Sequence, residues 1–455
     1  MSTAPITKAP GPAFALLVAL AGFMELFDGT VIQTALPSMG RSFGVTAAGA
    51  SIAMAVYFAA AAGAIPVCAW LSDRFGVKAV FTVSIGTFTM ASLLCGLSDQ
   101  LGWLIAFRIL QGLGGAIMMT TGQISILRDA PKVKLLNVTA YLVWPALAAP
   151  VIAPAVGGLI ADTIGWRWLF FLNLPLGLIG IFAALVLAPG RAHWSANRKL
   201  DWVGALLLAI GLCSLIPGLG MVDAGLAPAR ILAVIVGLVV SAIAIAWLLR
   251  QGNPLLDLSI FKVDTFRASN LEGAVYRASG SAVPVVLTLL FQVAYGWNAV
   301  SAGLLVMLVF VGNLSIKPFA NYSVRRWGNR LVIIGATVLG AACLLAIAFV
   351  TKQTSLLLVA PLLYLSGAAR SVGFTSYMTM QYQHVPKEQM ASASPLSGSV
   401  HQLATAIGIA TSLGAASVLQ ASGVGVLEAY RFVFIGMAAV LGLSAVGLPR
   451  LEAKA

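Results

Sequence analysis

"DRFGVK" occupies residues 73–78, and "RRWGNR" occupies residues 325–330. Both contain an arginine, an aromatic, a glycine, any residue, then lysine or arginine. Each is a short polar break inside long apolar sequence. A break that returns in the same form points to an internal repeat. The fold follows from what flanks each copy.

What flanks them is lipid-soluble. The 455 residues are 60% hydrophobic and 9% charged, where a soluble domain carries about 25% charged residues. Mean hydropathy is +0.97. A membrane-crossing helix needs about 20 apolar residues, and fourteen such stretches are predicted, at 12–37, 48–70, 78–98, 101–127, 136–161, 166–188, 202–220, 230–249, 267–292, 297–319, 330–350, 354–379, 391–419 and 428–448. The runs are about twice strand length and do not alternate, which argues against a β-barrel. An all-α integral membrane protein is expected.

Charge orients it. An even number of crossings puts both termini on one side. Of the 27 Lys and Arg, 18 then fall in loops and tails on that side, 5 on the other, and 4 (Arg108, Arg277, Lys317, Arg370) within spans. Cytoplasmic loops carry this excess, so both termini are expected in the cytoplasm. The bias also accounts for the net charge of +13 without nucleic acid. Cys68, Cys95, Cys213 and Cys343 all fall in spans and read as small packing residues. No metal motif, disulfide framework or cleavable signal is found. The longest polar connections, 189–201 and 250–266, flank spans seven and eight. Three domains follow: a six-helix bundle over 1–189, a linker with two extra helices over 190–264, and a second six-helix bundle over 265–455.

Several motifs resemble one family. "WLSDRFGVK" (70–78) is similar to the loop 2–3 signature of the major facilitator superfamily, with Ala69 where that signature usually has glycine. "RILQGLGGA" (108–116) resembles its fourth-span motif, and "APAVGG" (153–158) the fifth-span motif of its exporters, with Ala153 for glycine. Upstream glycines of that motif are Ala140 and Ala149 here. "LFDGTVIQTALP" (26–37), "GWRWLFFLNLPLG" (165–177) and "SASPLSGSVHQLATAIG" (392–408) resemble the fourteen-span drug:proton antiporters, with His401-Gln402 in place of paired glutamines. The resemblance implies two six-helix halves, two extra central helices, and gating by Asp73, Arg74, Gly76, Pro154, Gly157 and Gly158.

The charges inside spans are the candidate functional residues. A charge at mid-bilayer costs roughly 2.5–3.5 kcal/mol on insertion scales, and Glu25 and Asp28 share one helix face in span one. At 1.5 Å per residue, Asp28 sits roughly 24 Å above the inner edge and Arg108 about 10 Å below the outer one. In a core about 30 Å thick those depths nearly coincide, so Asp28 and Arg108 can pair. Glu25 lies a turn lower and is expected to face a central cavity. In the second half Arg277 and His401 are each about 15 Å deep. His401 is either a second proton site or a hydrogen-bonded structural residue. Tyr57, Trp144, Tyr276 and Gln402 are candidate cavity residues. Arg370 is a helix anchor or a substrate contact, and Trp166 and Trp168 are interfacial anchors. Gly112, Gly114 and Gly115 lack the lysine of a phosphate loop and read as helix-packing residues.

These features predict a proton-coupled exporter of small lipophilic, cationic or neutral compounds such as drugs, in the cytoplasmic or inner membrane. Asp28, Glu25, Arg108 and His401 carry the proton coupling. No enzyme activity, cofactor or nucleic-acid partner is expected; the partners are a small-molecule substrate, protons and the bilayer, and the chain is read as a monomer. Export of an endogenous metabolite or an anion is the alternative. A proton-pumping respiratory subunit fits less well, since Lys317 lies near the cytoplasmic end rather than at mid-depth.

Overall fold

A computed structural model of the chain describes residues 12–129, 135–190, 200–220, 227–252, 254–386 and 389–445. Among them there is no strand. The all-helical membrane fold expected from the sequence is the fold observed. In apolar surroundings every backbone N–H and C=O must be satisfied within the segment, and a helix does that. The helical runs are α1 (Ala13–Phe43), α2 (Ala47–Phe75), α3 (Val77–Leu97), α4 (Leu101–Asp129), α5 (Leu135–Thr163), α6 (Trp168–Leu187), α7 (Trp202–Gly220), α8 (Ala227–Arg250), α9 (Asp264–Ala294), α10 (Ala299–Ser315), α11 (Lys317–Ala348), α12 (Leu356–Gln381), α13 (Met390–Ala421) and α14 (Val426–Leu443). Among the described residues twelve are long and apolar enough to cross a membrane. Two shorter apolar helices, Leu147–Thr163 and Ala299–Ser315, stand where the fifth and tenth spans are expected.

Local chemistry sets the ends. Thr46 Oγ1 accepts the Gly49 N–H at 2.9 Å to cap α2. Asn298 Oδ1 accepts from Ser301 N at 2.9 Å to cap α10. Both satisfy N–H groups that a helix start leaves orphaned. The two copies of the opening motif have the same backbone: Gly76 lies at φ 83°, ψ 147° and Gly328 at φ 77°, ψ 160°. Both are left-handed positions that glycine tolerates. One expectation is corrected here. The polarity of 320–329 predicts a loop between spans, yet the stretch is helical apart from the Gly328 kink.

The packing repeats as the motif does. In the first half α1 packs on α4, α5 and α6, α3 on α4 and α6, and α2 on α4. In the second, α9 packs on α12, α13 and α14, α11 on α12 and α14, and α10 on α12. Each pair recurs eight helices later. Two seams join the halves, α5 with α10 and α2 with α13, and they exchange under the same relation. Outside this scheme, α7 and α8 pack on each other, and α7 touches both α2 and α13. Asp201 ties the start of α7 to the end of α8: its Oδ1 accepts from Gly204 N at 2.8 Å and Trp247 Nε1 at 2.9 Å. Cys68, Cys95 and Cys343 are buried and Cys213 half-buried, all as free thiols, as their packing role requires.

Candidate functional site

The heart of the first half is polar. Asp28, 1% exposed, stands midway along α1. Arg108 Nη1 on α4 pairs with its Oδ2. Gln111 Nε2 and Asn173 Nδ2 each donate to its Oδ1 at 2.8 Å. Arg108 is held in turn. Its Nη1 donates to Gln111 Oε1 at 2.7 Å, its Nε to the Ala53 carbonyl at 3.1 Å, and its guanidinium lies 4.3 Å from the centre of the Tyr57 ring. Gln111 Nε2 also donates to Ser92 Oγ at 2.7 Å. Side chains or carbonyls from α1, α2, α3, α4 and α6 therefore meet at one carboxylate. In a low-dielectric interior such a network is strong when satisfied and costly when broken.

The predicted meeting of Asp28 and Arg108 is thus seen. Sequence reading missed Gln111, Asn173 and Ser92. Gln111 follows Arg108 by three residues and so shares its face, a signal present in "RILQ". Asn173 is the polar residue inside "WRWLFFLNLPLG". Glu25 is 8% exposed and lies one turn nearer the start of α1. Both Glu25 and Asp28 are within electrostatic reach of Tyr57. The sequence predicts Tyr57 and Tyr276 on cavity walls. Each is 1% exposed: Tyr57 lies under Arg108, and Tyr276 donates to the Ala369 carbonyl at 2.9 Å. In this conformation neither ring is an open wall. The Trp144 side chain lies outside the described residues. Trp168 is exposed as an anchor should be, but Trp166 is buried, its indole N–H donating to Ser42 Oγ at 3.1 Å. In the second half Arg277, Arg370, His401 and Gln402 are all half-buried, and both arginines lie against Phe374.

The sequence profile described as Major Facilitator Superfamily matches residues 18–261 and 271–454. The chain belongs to that superfamily. A transport protein from Haemophilus influenzae, HsrA, is 31% identical over 88% of this chain and 86% of its own. MdtD of Yersinia pestis, named for multidrug resistance, is 31% identical over 87% of this chain and 85% of its own. Among solved structures, a POT family transporter in complex with 5-aminolevulinic acid superposes with a TM-score of 0.70 at 12% identity, covering 99% of this chain and 98% of that one. The nucleoside transporter NupG does so with 0.64 at 14%, covering 96% and 100%.

As a superfamily member the chain is a transporter and not an enzyme, and a respiratory pump subunit is set aside. Its fifth-span motif lies in the seam between halves. A Cβ on Gly157 would strike Thr34 and Val31 of α1, and one on Gly158 would strike the Ala299 carbonyl of α10. The Pro154 carbonyl lies against Gly303 of α10. Asp162 Oδ2 accepts the Val300 N–H at 3.1 Å, and Gln292 Nε2 donates to the Thr34 carbonyl at 2.9 Å. These contacts gather where α1 and α5 end and α10 begins. Asp73 is half-buried and Arg74 exposed at the other end of the helices, and both make contacts there.

Proposed function

We propose that the chain is a proton-coupled exporter that trades protons for small lipophilic compounds across the cytoplasmic or inner membrane. Both termini lie in the cytoplasm, and residues 190–264 link bundles 1–189 and 265–455. The observation that carries this is the buried carboxylate of Asp28. It has one cation, Arg108, and a cage of amide donors. When Asp28 is ionised, the pair is closed and Arg108 is neutralised. When a proton sits on Asp28, Arg108 loses its counter-ion and keeps only Gln111 and the Ala53 carbonyl. A half whose helices meet at that carboxylate has two arrangements to choose between, which is what coupling requires.

Glu25, beside this network, supports a direct contact with substrate. His401, half-buried on α13, is taken as a second proton-linked position in this reading. Asp73, Arg74 and Gly76 at the inner end, and Pro154, Gly157 and Gly158 at the outer seam, support gating from both ends. The multidrug-resistance name of the Yersinia relative agrees with lipophilic cargo. The chain works as a monomer in this reading, because the network and seams are complete within one copy.

The test uses purified protein in proteoliposomes with an imposed pH gradient and a fluorescent lipophilic dye. Gradient-driven dye flux is expected in the parent and lost in Asp28→Asn, with the parent's elution profile kept. Dye flux that ignores the gradient in the parent would sink the coupling. Flux in Asp28→Asn with the parent's pH dependence would remove Asp28 from the coupling role.

A further inference from the structure

The two halves repeat in packing but not in charge. The first half places an acid on α1 against an arginine on α4. The corresponding helices of the second half are α9 and α12, and they carry Arg277 and Arg370. Each lies about 20 Å along its helix from the start at 1.5 Å per residue, near the middle of the bilayer. The guanidinium of Arg277 sits 4.3 Å from the centre of the Phe374 ring. That of Arg370 sits 5.2 Å from the same ring and 5.8 Å from Phe310 on α10. One phenyl ring thus brings two like charges together in a low-dielectric interior.

Among the described residues no acid pairs with either. The second half forms ion pairs at helix starts instead, Arg267 with Asp264 at 2.9 Å and Arg431 with Glu428 at 3.7 Å. Nε and Nη1 of Arg370 are buried without a hydrogen-bond partner. Arg108 differs in degree: its Nη2 also lacks a partner, but its Nε and Nη1 meet a carboxylate, an amide oxygen and a backbone carbonyl. Unsatisfied charged donors at this depth are expensive, and intramembrane charges mark substrate paths. The stem of Arg370 runs along Gly280, where a Cβ would stand in ordinary contact at 3.4 Å from its Cγ. The cavity that Arg370 shares with Tyr276, Gly280 and Ser366 holds about 20 Å³, room for one water. A group larger than water therefore needs this pocket to widen from the conformation described. Lys317 lies within electrostatic reach of both arginines.

We infer that Arg277 and Arg370, held about Phe374, form a subsite for the oxyanion of a substrate: a carboxylate or sulfonate on an aromatic or lipophilic body. This deepens the exporter reading and rests on it. Guanidinium forks match carboxylate geometry and bind it with two parallel hydrogen bonds. Phe310 and Phe374, whose rings lie against the two guanidinium groups, supply the apolar contact. A lipid phosphate offers similar chemistry, and the test separates the two sources.

Purified full-length protein in nanodiscs of phosphatidylcholine is titrated with 1-naphthoate, and separately with its neutral amide, 1-naphthamide. Tryptophan fluorescence and the melting temperature are followed. Naphthoate is expected to bind and stabilise, and the amide to bind at least about tenfold more weakly. Arg277→Gln and Arg370→Gln should each weaken naphthoate by about tenfold or more, and Arg277→Lys, which keeps the charge, by less. Equal binding of acid and amide overturns the subsite. So does naphthoate binding that Arg277→Gln and Arg277→Lys leave at the parent's strength. Repeating the titration with phosphatidylglycerol in the disc tests the second source. Competition by that lipid, with the same arginine dependence, would assign the pair to a headgroup and overturn the cargo reading. A parent that binds naphthoate but shows no pH-driven flux in proteoliposomes fails the exporter reading alone. Flux without charge-selective binding fails the subsite alone.

Discussion

Asn173 Nδ2, Gln111 Nε2 and Arg108 Nη1 all point at one carboxylate, and each comes from a helix other than that of Asp28. Removing a donor from such a site leaves an acceptor unsatisfied, at a cost of about 1–3 kcal/mol. Asn173→Leu should therefore lower the melting temperature of the purified protein and cut gradient-driven flux while leaving the Asp28–Arg108 pair in place. An unchanged melting temperature would mean that Asn173 is not a working member of the network. Removing Asp28 itself is harsher, because it strands Arg108. Truncating one member of a buried pair typically costs about 3–5 kcal/mol. The pair was legible in the sequence, since helix rise and bilayer thickness alone bring Asp28 and Arg108 to one depth. The amide cage was not. Asn173 reaches Asp28 from another helix, 145 residues away in the chain, and no spacing rule links such positions. The charge of the second half was legible as a set of residues, but not as a pair sharing Phe374, because that depends on the crossing of α9 with α12.

At the scale of elements, the proposed gating rests on the glycine kinks and on the seam between α5 and α10. Gly328 has open space where a Cβ would go, so Gly328→Ala isolates the backbone effect of its positive φ. The substitution should destabilise by about 1 kcal/mol, the order set by the loss of glycine's conformational freedom, and should slow turnover without a matching change in substrate affinity. A large loss of affinity at normal maximal rate would point instead to a binding role for this end of α11. Gly158→Val is steric. Its side chain would meet the Ala299 carbonyl, so the outer ends of α5 and α10 could not close together. Dye flux should fall at least about tenfold while the variant remains folded, as core overpacking of this kind costs typically 1–3 kcal/mol. Normal flux in a folded Gly158→Val would show that this seam does not need to close. Sequence placed these helices within a few residues. It misread 320–329 because a polar stretch that continues a helix up to the Gly328 kink has the composition of a loop.

The whole molecule is two copies of one packing scheme with a hairpin added. The repeat was visible in the sequence only as the short echo between 73–78 and 325–330, yet the structure extends it to the order in which helices touch. Orientation is tested by labelling. A cysteine placed at Asn197 should react with a membrane-permeant maleimide in intact cells and be spared by an impermeant one. Efficient labelling by the impermeant reagent would invert the topology. The hairpin also breaks the equivalence of the two seams. On one side α7, tied to α8 through Asp201, lies over the junction of α2 with α13, while the repeat-related junction of α5 with α10 has no such cover among the described residues. A compound already dissolved in the lipid leaflet thus meets one shuttered doorway and one bare one. Loading sideways from the bilayer, rather than from the water, would be a one-door process.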